Sequence, residues 1–223
     1  KVTLALGSWA SDAAGAMLVE KCRVPCIPLR TPIGLKATDD LIMTLKEQFE
    51  VDVPKSLTIE RGQVVDTLID THFHYQGKTV AIFGDPDIVI PLTEFVLTMG
   101  MIPKYVLTGT PGSRFETEIY KMLEEYQIEG SIVKADGDLF HLHQLIKQEP
   151  VDLLMGTTYG KYIARAEDIP LVRVGFPILD RAVHPLMPIT GYRGCLRLIE
   201  MISNTLLERR DRDASDEDYE MVL

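Results

Sequence analysis

Two aspartates one helical turn apart, Asp66 and Asp70, are the side chains whose type and spacing best suit chemistry. Positions i, i+4 and i+8 of a helix share a face, so Asp66, Asp70 and His74 fall on one polar stripe. Carboxylates presented together are hard oxygen donors for calcium or iron, but two or three side chains leave such an ion's shell incomplete without water or a second surface. The same spacing is also that of a solvated helix face.

Other candidates carry less. Cys22, Cys26 and Cys195 are three thiols, too few for a four-cysteine iron-sulfur site, and the first two read as small buried residues near a short strand. His141 and His143 stand two apart in a helical stretch, so they point to different faces and do not chelate one metal together. The loop Phe83-Gly84-Asp85-Pro86-Asp87 has one glycine where a dinucleotide fingerprint needs three, and its acids repel phosphate, which excludes a nicotinamide cofactor there. The loop Thr108 to Arg114 is rich in glycine and hydroxyls but lacks the lysine of a phosphate-cradling loop, and reads as solvated.

These residues must be positioned by a framework of short apolar runs. Lys78 to Phe83, Lys104 to Leu107, Ser131 to Val133, Val151 to Met155 and Leu171 to Val174 have the length and β-branching of buried parallel strands. Helical patterns alternate with them: Asp87 to Met99, Arg114 to Gln127, Leu139 to Gln148 and Tyr159 to Glu167. Tyr192 to about Arg209 closes the unit, with Leu196, Ile199, Ile202 and Leu206 on its core side. The pattern is an α/β fold with a parallel, doubly wound (Rossmann-like) sheet and right-handed crossovers.

Upstream, a strand-like run from Val2 to Leu6 leads into a helix ending near Lys21. Residues 25–36 hold Pro25, Pro28, Pro32 and Gly34 and read as an irregular loop. Thr38 reads as the cap of a helix from Asp39 to about Glu50, and Pro54 opens one running to about Tyr75. Val64, Val65, Leu68, Ile69 and Phe73 supply the apolar face of that second helix. The expected organisation is a remnant of a preceding α/β domain (1–53), a connecting helix (54–76), a Rossmann-like domain (77–210) and an acidic tail (211–223). A core strand starting at residue 2 suggests a piece of a longer polypeptide. The hydrophobic end of the tail, Tyr219 and Met221 to Leu223, suggests a clasp onto a neighbour.

The chain has 223 residues, 33 acidic and 23 basic, for a net charge of −10, which opposes binding to nucleic acid. No apolar run reaches the roughly 18 residues that span a bilayer, so no membrane partner is expected and the location is read as cytoplasmic.

Several blocks together resemble one known family. They are Ser56-Leu57-Thr58 with Glu60-Arg61-Gly62, Val65-Asp66 through Asp70 and His72, Gly84-Asp85-Pro86-Asp87, and Tyr159-Gly160-Lys161. Arg173-Val174-Gly175-Phe176-Pro177-Ile178 with Asp180-Arg181, then Gly191-Tyr192 with Gly194, complete the set and are its most specific part. In order and spacing, from residue 30 onward, these are similar to the β chains of nitrogenase component 1, which are considerably longer. The resemblance implies the C-terminal part of a β subunit in an α2β2 assembly that takes electrons from an iron protein and reduces dinitrogen. It implies a P-cluster (8Fe-7S) whose ligands lie outside this chain, since no cysteine here matches them. It also implies that Asp66 and Asp70 help bind calcium or iron between two β subunits. His72 matches the family but lies off the aspartate stripe, and His74 does not match. The aspartate pair and the Asp-Glu-Asp-Tyr stretch at 216–219 favour the molybdenum-iron protein; vanadium or iron-only enzymes and the cofactor-assembly scaffold are alternatives. A receiver-type signalling module is disfavoured, because the fifth strand ends Val174-Gly175-Phe176-Pro177 without the lysine that such a module needs.

Overall fold

The fold is that of a computed structural model, which describes residues 1–216. The apolar end of the tail lies outside the described residues.

The C-terminal part is built on one five-stranded, wholly parallel sheet. Its strands are β3 (Thr79–Phe83), β4 (Ile102–Leu107), β5 (Ile132–Lys134), β6 (Leu153–Gly156) and β7 (Leu171–Arg173), in the spatial order β5-β4-β3-β6-β7. Alternation along each strand sends side chains to two cores, as the pleat requires. Val80, Ile82, Val106, Leu153 and Met155 face one layer, while Ala81, Phe83, Tyr105, Leu107 and Leu154 face the other. Helices α4 (Pro86–Thr98), α5 (Ser113–Glu125) and α8 (Gly191–Asp213) cover the first layer. α6 (Leu139–Gln148) and the short α7 (Lys161–Ala166) cover the second. The stretch read as one helix from Tyr159 is a 3-10 turn, Thr158–Gly160, followed by α7.

The strand order reverses between β3 and β6, where open α/β sheets usually leave a ligand crevice. Here that crevice is filled by protein. The Phe83 ring lies so close to the backbone of Gly156 and Gly160 that a Cβ at either would sit 2.5 Å from its Cζ. The two acids of the adjoining loop serve as helix caps: Asp85 accepts from Asp87 N–H at 3.0 Å and starts α4. Asp87 reaches the N–H groups of Trp9 and Ala10, at 3.0 and 2.9 Å, in the first turn of α1 (Ser8–Cys22).

The N-terminal part differs from the sequence expectation in two places. Residues Cys26–Leu29 form a strand, β2, paired in parallel with β1 (Thr3–Leu6). Proline is tolerated because β2 has one partner among the described residues, and its other edge makes no demand on Pro28 for an N–H. The next helix, α2, spans Leu35–Phe49 and starts three residues before the expected cap. Gly34, at φ 86°, takes the turn, and Thr38 lies inside the helix with its hydroxyl donating to Gly34 O at 2.7 Å. The two parts are tied by a buried carboxylate on α4: Glu94 accepts from Arg30 at 3.0 Å and Lys36 at 2.7 Å.

Candidate subunit interface and metal-binding face

The aspartate pair sits on α3 (Lys55–Tyr75), a long helix laid along α8. Its inward stripe is Leu57, Val64, Leu68 and Tyr75, spaced by seven, four and seven, one or two helical turns at each step. The Tyr75 hydroxyl donates to Leu68 O at 2.8 Å, and Arg61 makes a two-pronged contact with Asp39, both Nε distances being 3.0 Å. The opposite stripe carries Ile59, Asp66, Ile69, Asp70 and Phe73, all exposed. Ile69 and Phe73 were expected on the core side. Once Val64 and Tyr75 are committed to the sheet and α8, residues 69 and 73 must point away, and they are 64% and 65% exposed.

Asp66 and Asp70 are thus presented together on the outer face, with Cβ atoms roughly 5–6 Å apart by helix geometry. Neither makes a hydrogen bond or ion pair with another described residue. Among the described residues no three His, Cys, Asp or Glu side chains gather into a metal-binding group. Two carboxylates fit a hard cation's chemistry but fill only part of a shell of six to eight oxygens. The His74 ring lies 3.9 Å from that of Phe73, and His72 Nδ1 lies 2.8 Å from Ile69 O.

A second apolar face is the loop after β7. Phe176, Leu179 and Leu186 are 86%, 71% and 80% exposed. The loop is nonetheless anchored. Asp180 accepts from Arg173 Nε at 3.0 Å and NH2 at 2.8 Å, and from the Thr158 hydroxyl at 2.9 Å. The Arg173 guanidinium holds the Asp180 carboxyl well below the usual carboxylate range. Farther on, a Cβ at Gly194 would sit 2.2 Å from the carbonyl carbon of Ile189, so only glycine lets the returning loop lie on α8. Tyr192 donates to Asp39 at 2.6 Å, tying the start of α8 to α2. The Arg173, Asp180, Tyr192 and Gly194 of the motif blocks are therefore clamps that shape this surface. Sequence reasoning quoted them without their partners, because Thr158 and Asp39 are distant in the chain.

The thiols are not assembled. Cys22 is exposed, Cys26 half-buried beside Gly15, and Cys195 fully buried, where burial pushes its thiol up to about 12. No described helix is long and apolar enough to cross a membrane.

The pattern for nitrogenase component 1 type oxidoreductases matches residues 1–207. This chain belongs to that family. It is 53% identical over 221 residues to a nitrogenase molybdenum-iron protein β chain from Clostridium pasteurianum, covering 99% of this chain and 48% of that one. A β chain of the same name from Frankia alni is 44% identical over 194 residues, covering 86% of this chain and 37% of its own length. The solved structure titled Nitrogenase Cp1 at pH 6.5 superposes with a TM-score of 0.97 at 53% identity, over 98% of this chain and 48% of that one. A chain from Nitrogenase Cp1 at pH 5 superposes at 0.70 with 13% identity over 96% of this chain, a likeness of fold alone. The chain spans about half the length of the curated relatives it matches. The α3 face and the loop after β7 are two of the surfaces that carry exposed large apolar residues.

Proposed function

We propose that this chain is the C-terminal part of the β subunit of a molybdenum-iron nitrogenase component 1, the oxidoreductase that reduces dinitrogen to ammonia. The observation that carries this reading is 53% identity across 99% of the chain to a molybdenum-iron protein β chain. The relatives described above carry the molybdenum-iron name, which favours that enzyme over its vanadium and iron-only counterparts.

Its role is structural. The P-cluster belongs to the α subunit and to the rest of the β subunit, and the iron protein delivers electrons to that assembly. In support of this division, Cys195 is buried, Cys22 is exposed, and no three His, Cys, Asp or Glu side chains gather among the described residues. Residues 1–53 serve as the end of a preceding α/β domain, 54–76 as the connecting helix, 77–210 as the Rossmann-like domain and 211–223 as the tail. The exposed apolar residues of α3 form β to β contacts, while Asp66 and Asp70 give that interface its share of a calcium or iron site. A second β subunit supplies the other donors. The location that goes with this role is cytoplasmic.

Two measurements test the reading. Anaerobically purified chain contains neither iron nor acid-labile sulfide if its thiols are not ligands; stoichiometric amounts of both overturn the structural role. In the assembled full-length protein, Asp66→Ala with Asp70→Ala removes the interfacial metal, read by elemental analysis and tetramer dissociation. Unchanged metal content overturns the site.

A further inference from the structure

A cleft of about 600 Å³ lies between the β7 edge, the loop after it and one face of α8. Neither Phe83 nor any residue of α3 lines it. In a chain of net charge −10, this cleft is lined by five arginines and three carboxylates.

Most of those arginines are spoken for. Arg173 is held by Asp180 at 2.8 Å, Arg212 by Asp168 at 2.7 Å, and Arg209 by Asp168 and Asp213. Arg181 donates to Asp180 O at 2.7 Å and keeps a carboxylate 3.6 Å away. Arg197 differs. Its Nε is buried and has no hydrogen-bond partner, and among the described residues the side chain makes no ion pair. A buried guanidinium N–H left unmade is costly, and folded proteins usually give such a donor a protein or water partner, so the Arg197 guanidinium has hydrogen-bonding capacity that the chain does not use. His184, half-buried, lines the same cleft. Asn204 and Thr205, two turns along α8 on the same face, add neutral donors. The carboxylates of Glu200 and Glu208 are exposed and can turn to solvent.

We propose that this cleft is a binding site for a small oxyanion, a phosphate or carboxylate group received by Arg197 and His184. The guanidinium supplies the charge and the planar fork that matches such a group. The imidazole supplies a second donor, and the ion pairs around Arg173 and Arg212 hold the walls. The ligand class is set by chemistry: a cation would meet the unpaired positive charge of Arg197, and an apolar ligand would bury that charge without compensation.

The test is titration of the 223-residue chain with inorganic phosphate, and separately with acetate, at constant pH and ionic strength. His184 ring resonances and calorimetry are the readouts. Saturable shifts centred on His184 with either anion support the site, and the anion that saturates identifies its chemistry. Arg197→Gln should raise the dissociation constant roughly tenfold or more, the factor expected for losing one charge-assisted hydrogen bond. Arg210→Gln makes the same charge change outside the cleft and should leave the constant within about twofold. His184→Ala is the second variant should Arg197→Gln fail to fold, and it should also weaken binding. Linear, non-saturating shifts with both anions, or equal weakening by Arg197→Gln and Arg210→Gln, overturn the proposal and leave a water-filled cleft.

Discussion

Replacing Gly156 by alanine tests the way the sheet closes its own crevice. The new Cβ would sit 2.5 Å from Phe83 Cζ and 2.6 Å from both Cε atoms, so the end of the ring must move by about an ångström to regain ordinary contact. Phe83 is 6% exposed and packs on the side of the sheet covered by α6 and α7, so that movement propagates into a dense layer. Overpacking of this kind costs about 1–3 kcal/mol. The glycine has no positive φ to protect, and the lost chain freedom returns about 0.4–1 kcal/mol, leaving a net cost of about 1–2 kcal/mol. Phe83→Ala alone opens a cavity at a cost of about 3–5 kcal/mol. In the double variant the alanine methyl enters space that the ring has left. Its cost should fall below the sum of the singles by about 1–2 kcal/mol. Urea denaturation followed by far-UV circular dichroism and the fluorescence of Trp9, the one tryptophan of the chain, measures all four corners of the cycle. Additivity within about 0.5 kcal/mol would refute the reasoning, because independent sites behave that way. A stabilising Gly156→Ala would refute it as well.

Other outcomes follow from the same contacts. Asp180→Asn should free the loop after β7, read as faster proteolytic cutting between 176 and 190 at neutral pH with the helices still protected. Because the folded carboxyl titrates below its unfolded value of about 3.9, the wild-type anchor is complete above that pH and is lost as pH falls through the lowered value. Loop cutting by an acid-stable protease should therefore rise only under strongly acidic conditions. A thiol reagent should modify Cys22 promptly and Cys195 only on unfolding; fast labelling of Cys195 would mean that α8 does not pack as described. Tyr75→Phe should destabilise the chain by about 1 kcal/mol through loss of the bond to Leu68 O, measured by the shift in urea midpoint.

What the sequence determined by itself was the parallel sheet, because strands buried on both faces must be continuously apolar and their short connections leave no other topology. It also identified the family, through blocks such as Gly175-Phe176-Pro177-Ile178 and Asp180-Arg181. The aspartate pair was legible too, since two carboxylates at i and i+4 announce a shared face in any helix. The side of α3 that would be buried was not legible. Apolar residues lie on both sides of that helix, and only packing against α8 chose Val64, Leu68 and Tyr75 over Ile69 and Phe73. The strand at Cys26–Leu29 was hidden because a proline-rich segment pairs only when a neighbour such as β1 offers an edge that spares the missing N–H. Asp85 and Asp87 read as acids hostile to phosphate, and tertiary structure made them caps for α4 and α1. The clamps Arg173–Asp180–Thr158 and Tyr192–Asp39 join residues up to 153 apart in sequence. Local pattern reports secondary structure and composition; partners at that separation are decided only when the layers meet.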